Sequence, residues 1–166
     1  MLIANELHRK GLAQLLQALT LTGDPRLALH VVGKADLGPF QPTIERLGLA
    51  GRVHYHGASD DVSRQLAAAD LLVLPPQYEQ LGLVIIEALA SGVPVLTSRL
   101  AGASTAVDNG RTGLILEDPY DVHELAALLD RAASVDLAEW GRAAARSVDS
   151  YRRDNVLSRV TEIIFA

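Results

Sequence analysis

Short apolar runs of strand type alternate with helix-type patterns along this chain, and no other feature limits its fold as much. Leu27–Val32 ends at Gly33, and Val53–His56 ends at Gly57. Leu71–Leu74 is stopped by Pro75-Pro76, Val95–Thr97 is entered through Pro94, and Gly113–Leu116 follows the tight turn Asn109-Gly110-Arg111-Thr112-Gly113. Helical patterns fall between them at Gly11–Leu21, Phe40–Leu47, Asp60–Ala69, Gly82–Ser91 and Asp121–Ala133. Strands alternating with helices of this length predict βαβ units and a mainly parallel sheet. Right-handed crossovers then put helices on both faces, and runs that are apolar almost throughout suit a sheet covered on both sides. Leu2-Ile3-Ala4 reads as a first strand lying close to a domain boundary. The expected class is α/β: a doubly wound, mainly parallel sheet of about six strands. Residues 134–166 read as helical with a break near Asp149-Ser150. Their last part carries Tyr151, Val156, Val160, Ile163 and Ile164 at helical spacing.

At 166 residues the chain is one domain, or one lobe of a two-lobed protein. Its 15 basic and 20 acidic residues give a net charge of −5, and no basic stripe offers a footprint for nucleic acid. Aromatic residues, at 4%, are too few for a base-stacking platform. No apolar run approaches the ~18 residues of a membrane span. Cysteine is absent, which removes disulfides and cysteine-based zinc sites. The first residues lack the basic start of a secretory signal, so the expected location is cytoplasmic. A small anionic ligand held at one local positive spot remains open. His8-Arg9-Lys10 is the only run of three basic residues, and Lys10 and Lys34 are the only lysines.

Ligands of doubly wound sheets bind beyond the carboxyl ends of the strands. The stretch from Pro75 to Gly92 is the most informative there. A strand ends at Leu74, a loop holds Glu79, and an apolar-all-round helix, of the kind that is buried, starts near Gly82. Its start offers the amides of Gly82, Leu83 and Val84, and a helix start binds phosphate through such orphan donors and its dipole. Glu87 lies four residues beyond Leu83, a rise of about 6 Å, and its carboxylate can accept from two vicinal hydroxyls of a ribose. Buried in an apolar helix, Glu87 would need water, a partner or a ligand; capping of a neighbouring loop's amides is an equal reading, and Gly82 reads equally as a plain N-cap. Lys10, after the first strand and at the head of a helix, would add positive charge beside a diphosphate. Gly33 and Gly57 end strands and fit either ordinary turns or a close backbone approach to a base. His54 and His56 share a strand face, which suits packing better than a zinc pair, and no histidine spacing marks a metal site. Gly102-Ala103-Ser104-Thr105 opens a further helix or is capped by Ser104 or Thr105.

Taken together, these pieces resemble the C-terminal, nucleotide-sugar-binding lobe of retaining GT-B glycosyltransferases of family 4. The matches run in order through Arg9-Lys10-Gly11, Val31-Val32-Gly33, Val53-His54-Tyr55-His56-Gly57, Ala67-Ala68-Ala69-Asp70, Glu79-Gln80-Leu81-Gly82-Leu83, Glu87-Ala88-Leu89-Ala90-Ser91-Gly92-Val93-Pro94-Val95 and Gly110-Arg111-Thr112-Gly113. The Glu79/Glu87 pair followed by Ala-Leu-Ala-Ser-Gly-Val-Pro-Val is the most specific of them, and Leu12 to Gly57 looks closest to lipopolysaccharide core glucosyltransferases. The resemblance implies a Rossmann-like domain over residues 1–150, with 151–166 as a C-terminal helix packing on it or on a missing N-terminal lobe. It implies a hexosyltransferase that takes a nucleotide-diphospho-sugar, UDP favoured, in lipopolysaccharide or other cell-envelope polysaccharide synthesis, without metal or cofactor. Lys10 and Glu79 are the implied catalytic residues, with Lys10 on the diphosphate and Glu79 near the donor sugar. Arg9, Gly33, Gly57, Gly82, Leu83 and Val84 are the implied substrate-binding residues, with Glu87 on the ribose. An Arg that many relatives carry about six residues before the Lys is Ala4 here, and Arg9 is the substitute at hand. The missing lobe would bind the acceptor and provide any peripheral membrane contact. The same pattern also fits one lobe of a sugar-nucleotide epimerase, or a stand-alone nucleotide-binding regulatory module.

Overall fold

A computed structural model describes residues 1–151. The C-terminal helix expected for 151–166 therefore lies, Tyr151 apart, outside the described residues. The elements in order are β1 (Leu2–Ile3), α1 (Leu12–Leu21), β2 (Leu29–Val32), α2 (Gln41–Arg46), β3 (Val53–Tyr55), α3 (Val62–Ala67), β4 (Leu72–Leu74), α4 (Leu83–Ala90), β5 (Val95–Ser98), β6 (Gly113–Leu116), α5 (Val122–Ser134) and α6 (Leu137–Ser147). Short 3-10 turns precede α2 (Gly38–Phe40), follow β5 (Gly102–Ala106) and follow α6 (Asp149–Tyr151). That last turn falls where the helical pattern was expected to break.

All strand pairs are parallel and form two three-stranded sheets, β1-β2-β3 and β4-β5-β6. The two meet at β1 and β4. There the Val73 amide donates to the Met1 carbonyl at 2.8 Å, and the terminal ammonium donates to the Leu71 carbonyl at 2.7 Å. Burial drives that ammonium down to about 6, against the opposing pull of Asp70. Read across the seam, the strands follow the order 3-2-1-4-5-6, the doubly wound order whose crevice opens where the winding reverses, between β1 and β4.

Both faces are covered where the strands are apolar throughout. Leu2, Leu72, Leu74, Leu96 and Leu114 are fully buried from the sheet, and Leu12, Leu16, Ile85, Leu89 and Leu125 from the helices; each such side chain contributes about 1.5–3 kcal/mol relative to exposure. Asp61, Asp121 and Asp136 cap α3, α5 and α6 by accepting from amides of the first turn. α1 packs on α5, and α4 packs on α6.

Several elements are shorter than the sequence pattern predicts. Leu27 and Ala28 precede β2 and Leu71 precedes β4, because pairing begins where the partner strand does, while His56 follows β3 although its amide still donates to the Val31 carbonyl at 2.9 Å. α1 and α4 start one residue later than expected, since Gly11 (φ 82°) and Gly82 (φ 79°) are left-handed N-caps outside the helices. The reading of α4 as a buried helix is corrected. Ile85, Ala88 and Leu89 face the core, but Leu83 is 61% exposed and Glu87 and Ala90 lie on the same open side. The sheet and α6 cover only one stripe of α4, so its apolar outer stripe is left facing outward. Glu87 thus meets water instead of an apolar interior.

Candidate functional site

A cleft of about 390 Å³ opens at the seam between the two half-sheets, lined from one side by residues 3–6, Arg9 and Lys10 and from the other by Glu79 and residues 81–84. It lies beyond the carboxyl ends of β1 and β4, where a doubly wound sheet binds ligands. Two loops build it. The first, between β1 and α1, turns through Lys10 N–H to the Glu6 carbonyl at 3.0 Å and ends at Gly11. A Cβ on Gly11 would stand 2.2 Å from the Pro75 carbonyl oxygen, so only glycine lets this loop lie against the second one. The second loop, from β4 to α4, is held by the Gln77 amide on the Arg9 carbonyl (3.0 Å) and by Glu79 pairing with Leu100 and Gly102 (3.1 and 2.9 Å). Underneath, the buried hydroxyls of Thr97 and Ser98 donate to the carbonyls of Leu74 and Pro76 at 2.7 and 2.6 Å. These bonds fix the backbone where the strand leaves the sheet.

Four charged side chains meet in the cleft. Lys10 Nζ pairs with Glu79 Oε2, and both side chains are largely buried, at 14% and 13% exposure. Arg9 Nη1 reaches the same oxygen at 3.2 Å and the Tyr78 carbonyl at 2.8 Å. Its Nε and Nη2 hold both oxygens of the exposed Glu6 at 2.8 and 3.1 Å, a bidentate fork. Burial pushes the Glu79 carboxyl up, but the Lys10 bond, the Leu81 amide on Oε1 and the charges of Lys10 and Arg9 together hold it below the usual carboxylate range. Glu6 is lowered by its bond to Arg9, and Arg9 is raised in turn by Glu6.

Of the residues singled out in the sequence, Arg9, Lys10, Glu79, Gly82, Leu83 and Val84 line this one cleft. The amides of Gly82, Leu83 and Val84 head α4 with no acceptor among the described residues, and the Gly82 carbonyl receives the Ile85 amide at 2.9 Å, so Gly82 is both the N-cap and a wall of the cleft. Gly33 stands at its back. Its amide bonds the Gly57 carbonyl at 2.8 Å, and a Cβ there would meet the Ala4 carbonyl oxygen at 1.9 Å, so close strand packing requires the glycine. Gly57, two residues past β3, takes a left-handed conformation (φ 72°) with open space around it and no turn there, and Glu87 lies one helical turn beyond the lining on the open side of α4. Glu6, the Tyr78 carbonyl, Thr97 and Ser98 were not singled out. Glu6 carried a readable signal, its spacing of three from Arg9, whereas the others depend on contacts distant in sequence.

The remaining candidates fall elsewhere. His30 Nδ1 and His56 Nε2 share a hydrogen bond of 2.8 Å and the His54 ring lies tilted against His30, but no group of three or more His, Cys, Asp or Glu suited to a metal occurs among the described residues. Gly102–Ala106 is a 3-10 turn without a side-chain cap, and it supports the Glu79 loop from behind. Asn109–Gly113 is a tight turn closed by Gly110 N–H on the Gly113 carbonyl at 2.7 Å. No helix among the described residues is long and apolar enough to cross a membrane.

The chain is 31% identical to the lipopolysaccharide glucosyltransferase WaaG of Escherichia coli over 133 residues, covering 78% of this chain and 36% of that protein. It is 34% identical over 130 residues to the D-inositol 3-phosphate glycosyltransferase of Streptomyces avermitilis, covering 76% and 28%. Among solved structures, WaaG superposes with a TM-score of 0.84 at 28% identity, covering 98% of this chain and 46% of that one. Anabaena Alr3699/HepE in complex with UDP and glucose superposes at 0.81 and 26% identity, covering 99% and 48%. The chain thus spans less than half the length of these relatives. The family model described as glycosyl transferases group 1 matches residues 2–146, and the chain belongs to that family.

Proposed function

We propose that this chain is the donor-binding lobe of a retaining GT-B hexosyltransferase and holds a nucleotide-diphospho-sugar, UDP favoured, in the cleft between β1 and β4. The observation that carries the reading is the meeting of Arg9 and Lys10 across that cleft with the amides of Gly82–Val84, which have no acceptor among the described residues. Two cations and a helix start facing one another form a seat for a diphosphate. They also supply positive charge where a departing nucleoside diphosphate accumulates negative charge, which does the work of a metal in transition-state stabilisation. On this reading no metal or cofactor takes part. Glu87, on the open side of α4 one turn past the phosphate seat, accepts from the ribose hydroxyls, and Glu79 lies beside the donor sugar. Gly33 brings the ends of β1 and β2 close enough for a base to rest on the backbone. The UDP-bound relative supports uridine as the base.

The acceptor is then bound by a second lobe, in keeping with relatives more than twice as long, and a cytoplasmic enzyme of cell-envelope polysaccharide synthesis touching the membrane through that lobe is the setting that similarity to WaaG favours. Calorimetric titration with UDP, GDP and ADP in EDTA tests the proposal. One nucleotide binds without metal, and Lys10→Ala and Glu87→Ala each weaken it at least tenfold, about 1.4 kcal/mol. Equal binding by wild type and both variants overturns the site.

A further inference from the structure

The two cations of the cleft are already taken. Glu79 Oε2 receives Lys10 Nζ and Arg9 Nη1, while Glu79 Oε1 receives the Leu81 amide at 3.3 Å. A lysine, an arginine and a backbone amide next to a helix start are the donors that an anionic phosphoryl oxygen would collect. The carboxylate collecting them stays charged, because Lys10, Leu81 and Arg9 outweigh the effect of its burial. Glu6, the other acid present, is 63% exposed and binds Arg9 by the two nitrogens that Glu79 does not use, and it feels Lys10 only through charge. The pairing is also confined to the two side chains: the backbone of Glu79 is tied to Leu100 and Gly102, and that of Lys10 to Glu6.

We infer that Glu79 is a built-in placeholder anion, which holds Lys10 and Arg9 in the empty cleft and competes with the diphosphate for them. The inference rests on the donor-lobe reading and adds a step to it. An entering nucleotide must draw Lys10 and Arg9 off Glu79. After transfer, the carboxylate recaptures the same cations and the nucleoside diphosphate leaves faster than an unopposed pair of cations would allow. This differs from a contact to the donor sugar. A sugar contact is felt only by the intact donor, whereas a placeholder acts on the diphosphate alone.

Titration of wild type, Glu79→Gln and Glu79→Asp with UDP, GDP, ADP and inorganic pyrophosphate separates these cases. Glu79→Gln keeps the size of the side chain and removes the competing charge. It is expected to bind the nucleoside diphosphate and pyrophosphate about tenfold more tightly than wild type, the scale of one lost charge-assisted bond. Glu79→Asp restores the charge and with it the weaker binding. A gain in affinity is not what a damaged fold produces. Should Glu79→Gln lose its unfolding transition, the test moves to wild type: pyrophosphate is expected to raise the midpoint at which the Glu79 carboxyl titrates by carbon-detected NMR, because its cations leave. Unchanged or weaker diphosphate binding in a folded Glu79→Gln, or an unmoved Glu79 midpoint, overturns the placeholder and leaves the donor lobe standing. Absence of binding by any probe to wild type and variants alike overturns the donor lobe itself.

Discussion

The two half-sheets differ in how much they enclose. β4, β5 and β6 are buried along nearly every residue, on both faces, and the loop leaving β4 is tied down by two buried hydroxyls. β3, at the far end of the other half, has Val53 half-buried and His54 and Tyr55 exposed, and His30 on β2 faces the same open side. The second half is a scaffold that fixes the Glu79 loop and the head of α4. The first half is thinner and supplies the cations from a loop that reaches across to that scaffold. One half provides position and the other provides charge.

Four measurements sharpen or break this contrast. The largest effect is expected from Leu96→Ala, at the centre of β5 and fully buried, which should cost roughly 2–5 kcal/mol in urea unfolding. A cost near that of an exposed site would mean the β4–β6 half is not the scaffold. Ser98→Ala comes next. It leaves the buried Pro76 carbonyl without its donor, and a loss of about 1–3 kcal/mol is expected by thermal melting, with Thr97→Val behaving alike. A third test concerns acid. Because the Glu79 carboxyl is lowered in the folded state, the stability it contributes is present above its unfolded value and disappears as pH falls through the folded one. Lys10→Met removes the strongest lowering partner and leaves burial opposing the charge, so the acid-side loss of stability should begin at higher pH than in wild type. No displacement of that limb would show that the loops do not couple. The smallest effect belongs to Val53→Ala on β3, expected below about 1 kcal/mol; a cost matching Leu96→Ala would erase the difference between the halves.

The alternation of β-type and helix-type runs made the fold class legible, because a parallel sheet covered on both faces writes itself as short apolar stretches. Strand and helix ends were less legible. Leu27 and Leu71 are as apolar as the strands they precede, and only the length of the partner strand excludes them. The side of the molecule on which α4 opens was hidden for a similar reason: its composition is apolar all round, and exposure of Leu83 depends on where α6 and the sheet happen to lie. In the cleft, the head of α4 and the Arg9-Lys10-Gly11 turn could be read directly from residue type and position. That Lys10 would be paired with Glu79, 69 residues away, could not, since it follows from the winding that brings β1 beside β4. The hydroxyls of Thr97 and Ser98 looked like ordinary strand residues until the carbonyls they serve were in place.

The seam at Met1 and Val73 joins the halves through few backbone bonds, and the cleft sits directly over it. Anything that fills the cleft with contacts to both Lys10 and the α4 amides acts as a clasp across that join. Because α1 of one half packs on α5 of the other and a single hydrophobic core runs through both, the halves melt as one unit, and occupancy of the cleft should show as a raised midpoint of that one transition.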